Sequence, residues 1–138
     1  MAAGTSPIFV AAPRSSGVSL SASAVSGTDG TDANVTTVFT AGANGSKIED
    51  VFVTHLGTNS TDTVVRFWVN NGASHLVATN NFLVHEETMK ANTVSQVAKS
   101  VALQWRANLI LPTGYVLLAA SGSAITGGME VVAQGGDY

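Results

Sequence analysis

The chain has 138 residues, no cysteine, 45% apolar and 11% charged side chains, and a formal net charge of −3. That length suits one domain able to bury about two-thirds of its unfolded surface. The lack of cysteine excludes a disulfide framework or a thiolate metal site, and six scattered basic residues offer no stripe for phosphates, so no nucleic-acid partner is expected.

The composition is too apolar for a disordered chain yet poor in charge for a free-standing surface, so part of the uncharged surface is expected to be covered by partners. The opening residues lack a charged stretch followed by an apolar one, and no later run approaches the ~20 apolar residues that span a bilayer. The expectation is therefore neither classical secretion nor membrane insertion.

Residues 1–46 are dominated by Gly, Ala, Ser and Thr. Two islands, Ile8-Phe9-Val10 and Val35-Thr-Thr-Val-Phe39, carry the β-branched and aromatic side chains that suit a pleated surface. The expected division is an N-terminal arm over residues 1–35 and a β-domain over residues 36–138. The arm is either a flexible leader with an edge strand or an extended segment that orders against a neighbouring subunit, and Phe9 is its candidate contact residue.

From Ser46 onward the period is two. Residues 47–55 read as a strand, and residues 63–69 alternate Val65, Phe67 and Val69 against Val64, Arg66 and Trp68. Asn70-Asn71-Gly72 tolerates positive φ, so the chain is expected to reverse there toward His75-Leu-Val-Ala. Residues 83–87 form a further strand, and residues 88–96 a short helix or long loop. Val101, Leu103 and Trp105 alternate again, Pro112-Thr113-Gly114 signals a turn, and residues 115–119 and 129–133 are expected to pair as a final hairpin. The sum is about six to eight short strands without a helical stripe, an antiparallel β-sandwich or jelly roll.

Groups able to do chemistry are sparse. On a strand His85 and Glu86 point to opposite faces and could not share a metal without a bulge, whereas His85 and Glu87 could; the favoured reading is polar residues leaving the strand for solvent or a subunit contact. Glu49 and Asp50 diverge likewise, and a glycosidase-type pair would need Glu130 from another strand. No Gly-x-Ser-x-Gly elbow exists. Gly42-Ala-Asn-Gly45 and Gly127-Gly128 lack the helix start of a phosphate cradle. The reading is no catalytic residue, no cofactor and no metal.

Trp68 and Trp105 each have an Arg close by, Arg66 and Arg106. Either a core position or an interface anchor suits them. The strand over residues 63–69 has apolar side chains on both faces, whereas a two-layer sandwich has one inner side. Trp68, Arg66 and Val64 are therefore candidate interface residues, with Trp68 expected at a subunit contact.

Ala41-Gly-Ala-Asn-Gly-Ser-Lys-Ile-Glu-Asp-Val51, Gly57-Thr-Asn59, Val65-Arg-Phe-Trp-Val-Asn-Asn-Gly72, Leu111-Pro-Thr-Gly-Tyr-Val-Leu-Leu118 and Ala133-Gln-Gly-Gly-Asp-Tyr138 together resemble small structural proteins of tailed bacteriophages, similar to head decoration (cement) proteins. The resemblance covers residues 36–138. It implies a non-enzymatic virion protein on the capsid surface, assembled in host cytoplasm, that binds and stabilises the outer surface of the major capsid protein lattice. A homotrimer follows from the resemblance alone. A tail or head-fibre component contacting the host surface is the alternative.

Overall fold

The computed structural model describes residues 10–20 and 27–138. Its eight strands are β1 (Ala12–Leu20), β2 (Thr36–Thr40), β3 (Ser46–His55), β4 (Thr63–Asn70), β5 (Asn81–Met89), β6 (Ala102–Leu111), β7 (Val116–Ser121) and β8 (Met129–Asp137). Among the described residues the helical content is one 3-10 turn, Ala78–Asn80.

The strands form two antiparallel four-stranded sheets, β1-β8-β3-β6 and β2-β7-β4-β5. Of the connections, only that from β4 to β5 stays within one sheet; every other one crosses from sheet to sheet. Two interleaved four-stranded sheets in this order make an eight-stranded jelly roll, so the all-β sandwich expectation holds.

Strand chemistry explains the layers. Val65 and Phe67 on β4, Ile48, Val51 and Val53 on β3, Leu117 and Ala119 on β7, and Met129, Val131 and Ala133 on β8 all face inward and are fully buried. Each is spaced by two along its strand except at β3, where a bulge at Glu49 shifts the register between Ile48 and Asp50. β7 is buried on both faces, which is why it reads as an uninterrupted apolar run.

Three expectations need correction. The segment assigned to an arm contributes β1, paired with β8 over nine residues from Ala12↔Asp137 to Leu20↔Met129. An edge strand needs apolar residues on one face only, and Val18 and Leu20 supply them at a spacing of two. Phe9 lies outside the described residues.

Residues 115–119 and 129–133 do form strands, but β7 and β8 belong to different sheets, so no hairpin joins them. The β7–β8 connection passes close to the chain after β3, where a Cβ on Gly127 would come within 2.5 Å of the Gly57 backbone. After the reversal at residues 70–72 the returning strand starts at Asn81 instead of near His75, and it runs on to Met89 before an irregular segment.

One end of the sandwich is tied by a polar knot. Asp137 at the end of β8 accepts from Arg14 on β1 (2.9 Å) and from the Ser46 hydroxyl on β3. Ser46 in turn accepts from the Gly42 amide at 2.9 Å. The Arg14 guanidinium also sits 4.4 Å from the Phe39 ring centroid, linking β1 to the second sheet. The Ser46 hydroxyl, and then Arg14, hold the Asp137 carboxyl below its ordinary range.

Candidate interaction surface

The residues considered for chemistry occupy separate places. His85 Nε2 lies 3.2 Å from Glu87 Oε2, while Glu86 on the opposite side of β5 binds Arg66 Nε at 2.6 Å. Glu49 pairs with Lys47 at 2.6 Å, Asp50 accepts from Gln104 at 2.9 Å, and Glu130 accepts from Ser19 at 2.7 Å. No group of three or more potential metal ligands occurs among the described residues. His55 is buried, and its Nε2 donates to the Lys90 carbonyl at 2.9 Å.

Trp68 is not at an exposed contact. Its side chain is 0% exposed. The outer face of β4, expected to await a partner, is covered near Trp68 by the chain's own residues 27–35. Trp68 packs with Val35, Leu118 and Ala120, and its Nε1 donates to the Thr28 carbonyl at 2.8 Å.

The cover is built from local side-chain-to-backbone bonds. Asp29 accepts from the Thr31 hydroxyl and amide at 2.8 and 3.2 Å, and Asp32 accepts from the Asn34 amide at 2.8 Å. Gly30, at φ +73°, passes so close to Trp68 that a Cβ would stand 3.3 Å from the indole Cδ1. The Thr31 hydroxyl keeps the Asp29 carboxyl below its ordinary value.

Arg66 and Val64 lie beyond this cover. Both are half-buried and line a shallow groove of about 260 Å³ with Asp62, Thr88, Gly122 and Ser123. Arg66 is engaged by Glu86, and Asp62 by Lys90 at 2.8 Å, so the groove's charges are paired internally.

The open side of the sandwich lies elsewhere. Among the described residues β5 and β6 are the outer strands of their sheets on the same side, and each pairs with one neighbour, β4 and β3. Inward-facing Leu103, Trp105, Ala107 and Leu109 of β6 are only partly buried, unlike their counterparts on β3 and β8. The seam is bridged by aromatic packing: His85 stacks on Trp105 with centroids 4.4 Å apart and planes 8° off parallel, and Phe67 lies 5.1 Å from Trp105.

Along β5 and the loop before it a run of apolar side chains is exposed, with Phe82 opposite Val69 and Leu83 opposite Trp68 and so on the two faces of the sheet. Among the described residues nine large apolar side chains are exposed, and five of them fall between Leu76 and Val84: Leu76 59%, Val77 49%, Phe82 53%, Leu83 42% and Val84 37%. Residues 67–84 carry no Asp, Glu, Lys or Arg.

This run is held on a firm frame. Asn70 donates to Asn81 at 2.8 Å and Asn71 to Asn80 at 3.2 Å, closing the β4–β5 connection like two rungs. Asn81 also donates to the His75 and Asp29 carbonyls at 2.7 and 3.0 Å, and Asn80 to the Ser74 carbonyl at 2.9 Å. The strand expected over residues 83–87 is there as part of β5, but the pattern gave no sign that its apolar residues would stay exposed. The visible signal was the long uncharged stretch through Val84.

No family model matches the chain, and no curated protein does. Among solved structures it is similar to a chain in the structure of infectious bursal disease virus Gx strain, at 11% identity and a TM-score of 0.29. That match covers 97% of this chain and 36% of the other. The jelly-roll assignment rests on the strand order itself.

Proposed function

We propose that this protein is a non-enzymatic structural component of a virion, a decoration subunit that binds the outer surface of a phage major capsid protein lattice and stabilises it by packing against other protein copies. The observation that carries the reading is the uncharged run of exposed apolar side chains Leu76, Val77, Phe82, Leu83 and Val84, held on a hydrogen-bonded frame at β5, which like β6 has one strand neighbour among the described residues. Exposed apolar surface of this kind marks protein interaction sites, and a frame ordered in advance reduces the entropy lost on binding. The resemblance of residues 36–138 to decoration proteins supplies the partner, and the jelly roll is an architecture that serves such shells among other roles.

The test is quantitative mass spectrometry of purified particles together with binding of the isolated protein to undecorated capsids. Hundreds of copies per particle and saturable capsid binding are expected. A handful of copies at a tail or fibre would replace this reading with the host-contact alternative, and absence from particles would end both.

A further inference from the structure

The chain contains two Asn-Gly pairs, Asn44-Gly45 and Asn71-Gly72, and each glycine has a positive φ, +86° and +89°. An asparagine before glycine is open to attack by its own main chain, because a residue without a Cβ lets its amide nitrogen approach the preceding side chain closely. The glycine nitrogen gives up its proton to solvent base and bonds to the asparagine Cγ, and the side-chain nitrogen leaves as ammonia. Water then opens the cyclic imide at either carbonyl, giving aspartate or isoaspartate. One water is consumed, one ammonia is released, and nothing is oxidised or reduced.

Both asparagines are exposed, so water reaches each of them. They differ in how firmly they are held. The Asn71 side chain accepts from the Ala73 amide at 3.1 Å and donates to Asn80 Oδ1 at 3.2 Å. Its attacking partner, the Gly72 amide, donates to Asn70 Oδ1 at 2.8 Å, and Asn70 is buried and bonded in turn to Asn81. Reaction at Asn71 has to break all three bonds. Among the described residues the Asn44 side chain makes one bond, from Nδ2 to the Tyr138 main-chain oxygen at 3.3 Å, and the Gly45 amide donates to the Gly42 carbonyl at 3.0 Å.

We propose that Asn44 is a site of spontaneous deamidation and that the bonds of the β4–β5 frame withhold Asn71 from the same reaction. Asn71 lies within residues 67–84, which carry no Asp, Glu, Lys or Arg, so its protection keeps a carboxylate out of that stretch. Conversion of Asn44 has a structural outcome of its own. An aspartate there has no N–H to donate to Tyr138. An isoaspartate also lengthens the main chain just before Gly45, whose carbonyl accepts from the Tyr138 amide at 3.2 Å. Either product weakens the hold of this turn on the residue that follows β8.

The experiment incubates the full chain at mildly alkaline pH in heavy-oxygen water and follows both sites by peptide mass spectrometry. Trypsin cuts after Arg14, Lys47, Arg66 and Lys90, which places the two pairs in separate peptides, residues 15–47 and 67–90. The urea-unfolded chain supplies the rate of each site without structure. Relative to those rates, Asn44 in the folded chain should convert roughly fivefold or more faster than Asn71, the rate equivalent of one hydrogen bond. Asn80→Ala removes one bond from Asn71 and should speed its conversion by a similar factor, with amide exchange in β3 and β8 reporting that the variant is folded. The more acidic fraction carrying modified Asn44, separated by ion exchange, should show faster exchange at the Tyr138 amide. Folded Asn44 that stays intact while the unfolded chain converts overturns the assignment. Folded Asn71 that converts as fast as Asn44 overturns the protection, with or without the variant. An Asn71 rate unmoved by Asn80→Ala in a folded variant removes the frame as its cause, and unchanged Tyr138 exchange removes the structural outcome.

Discussion

The indole of Trp68 and the carbonyl of Thr28, forty residues apart, are joined by a hydrogen bond of 2.8 Å that closes a cover over the outer face of β4. Through it the chain satisfies the indole N–H and removes its largest buried side chain from water without help from a partner.

Changing Trp68 to Ala should destabilise the fold by about 3 to 5 kcal/mol, as truncation of a large buried aromatic does. Trp68→Phe keeps most of the apolar area but leaves the Thr28 carbonyl without this donor, for a loss of about 1 to 2 kcal/mol. Denaturant unfolding gives both values. Exchange at the Val35 amide, bonded to the Asp32 carbonyl at 3.1 Å, should quicken in both variants, because the cover loosens.

Acid should loosen the end knotted by Asp137. Its folded carboxyl titrates below the ordinary 3.8, mainly through the Ser46 hydroxyl and then Arg14. A depressed folded value means the stabilising contribution is complete above the unfolded value and is lost as pH falls through about 4 toward the folded value. Asp62, lowered by Lys90, and Asp29, lowered by Thr31, act in the same direction. Thermal unfolding from pH 7 to pH 2 should show a falling midpoint below about pH 4, and Asp137→Asn should flatten that fall. An unchanged slope in the variant would remove Asp137 from the account.

The stack of His85 on Trp105 should be visible in fluorescence. His85→Ala removes a ring 4.4 Å from the indole, so Trp105 emission should shift to longer wavelength as water reaches its uncovered face. The loss in stability should be about 1 kcal/mol. Trp68→Phe as a background isolates the Trp105 signal.

Gly127→Ala should be among the more damaging small substitutions. The added Cβ would meet the Gly57 backbone carbon at 2.5 Å and the Thr58 carbonyl at 2.6 Å, and neither backbone can move as a side chain can. A loss of about 1 to 3 kcal/mol is expected, as for other overpacked sites, and calorimetry would measure it. Gly114→Ala makes a useful contrast, since nothing lies within 4 Å of its Cβ position and only its φ of +78° opposes the change.

The alternation of Val65, Phe67 and Val69 against Val64, Arg66 and Trp68 was legible in the sequence, and so were the strands through Val53, Trp105, Leu117 and Val131 and the turns at Asn71-Gly72 and Pro112-Thr113-Gly114. Period-two patterning is a local property, set by side chains that leave a strand on opposite faces. It therefore determined the all-β class and which residues share a face. The tertiary structure decided which sheet each strand joins. Residues 115–133 read the same whether β7 and β8 pair with each other or cross between sheets, and the close approach of Gly57 to Gly127 accompanies the crossing. It also decided what covers a face. Trp68 has the chemistry of a core residue and of an anchor alike, and the distinction was made by residues 27–35, whose polar composition gave no sign that they would fold over it. The exposure of Phe82, Leu83 and Val84 has the same cause: burial depends on long-range pairing, and among the described residues β5 and β6 have one strand neighbour each on that side.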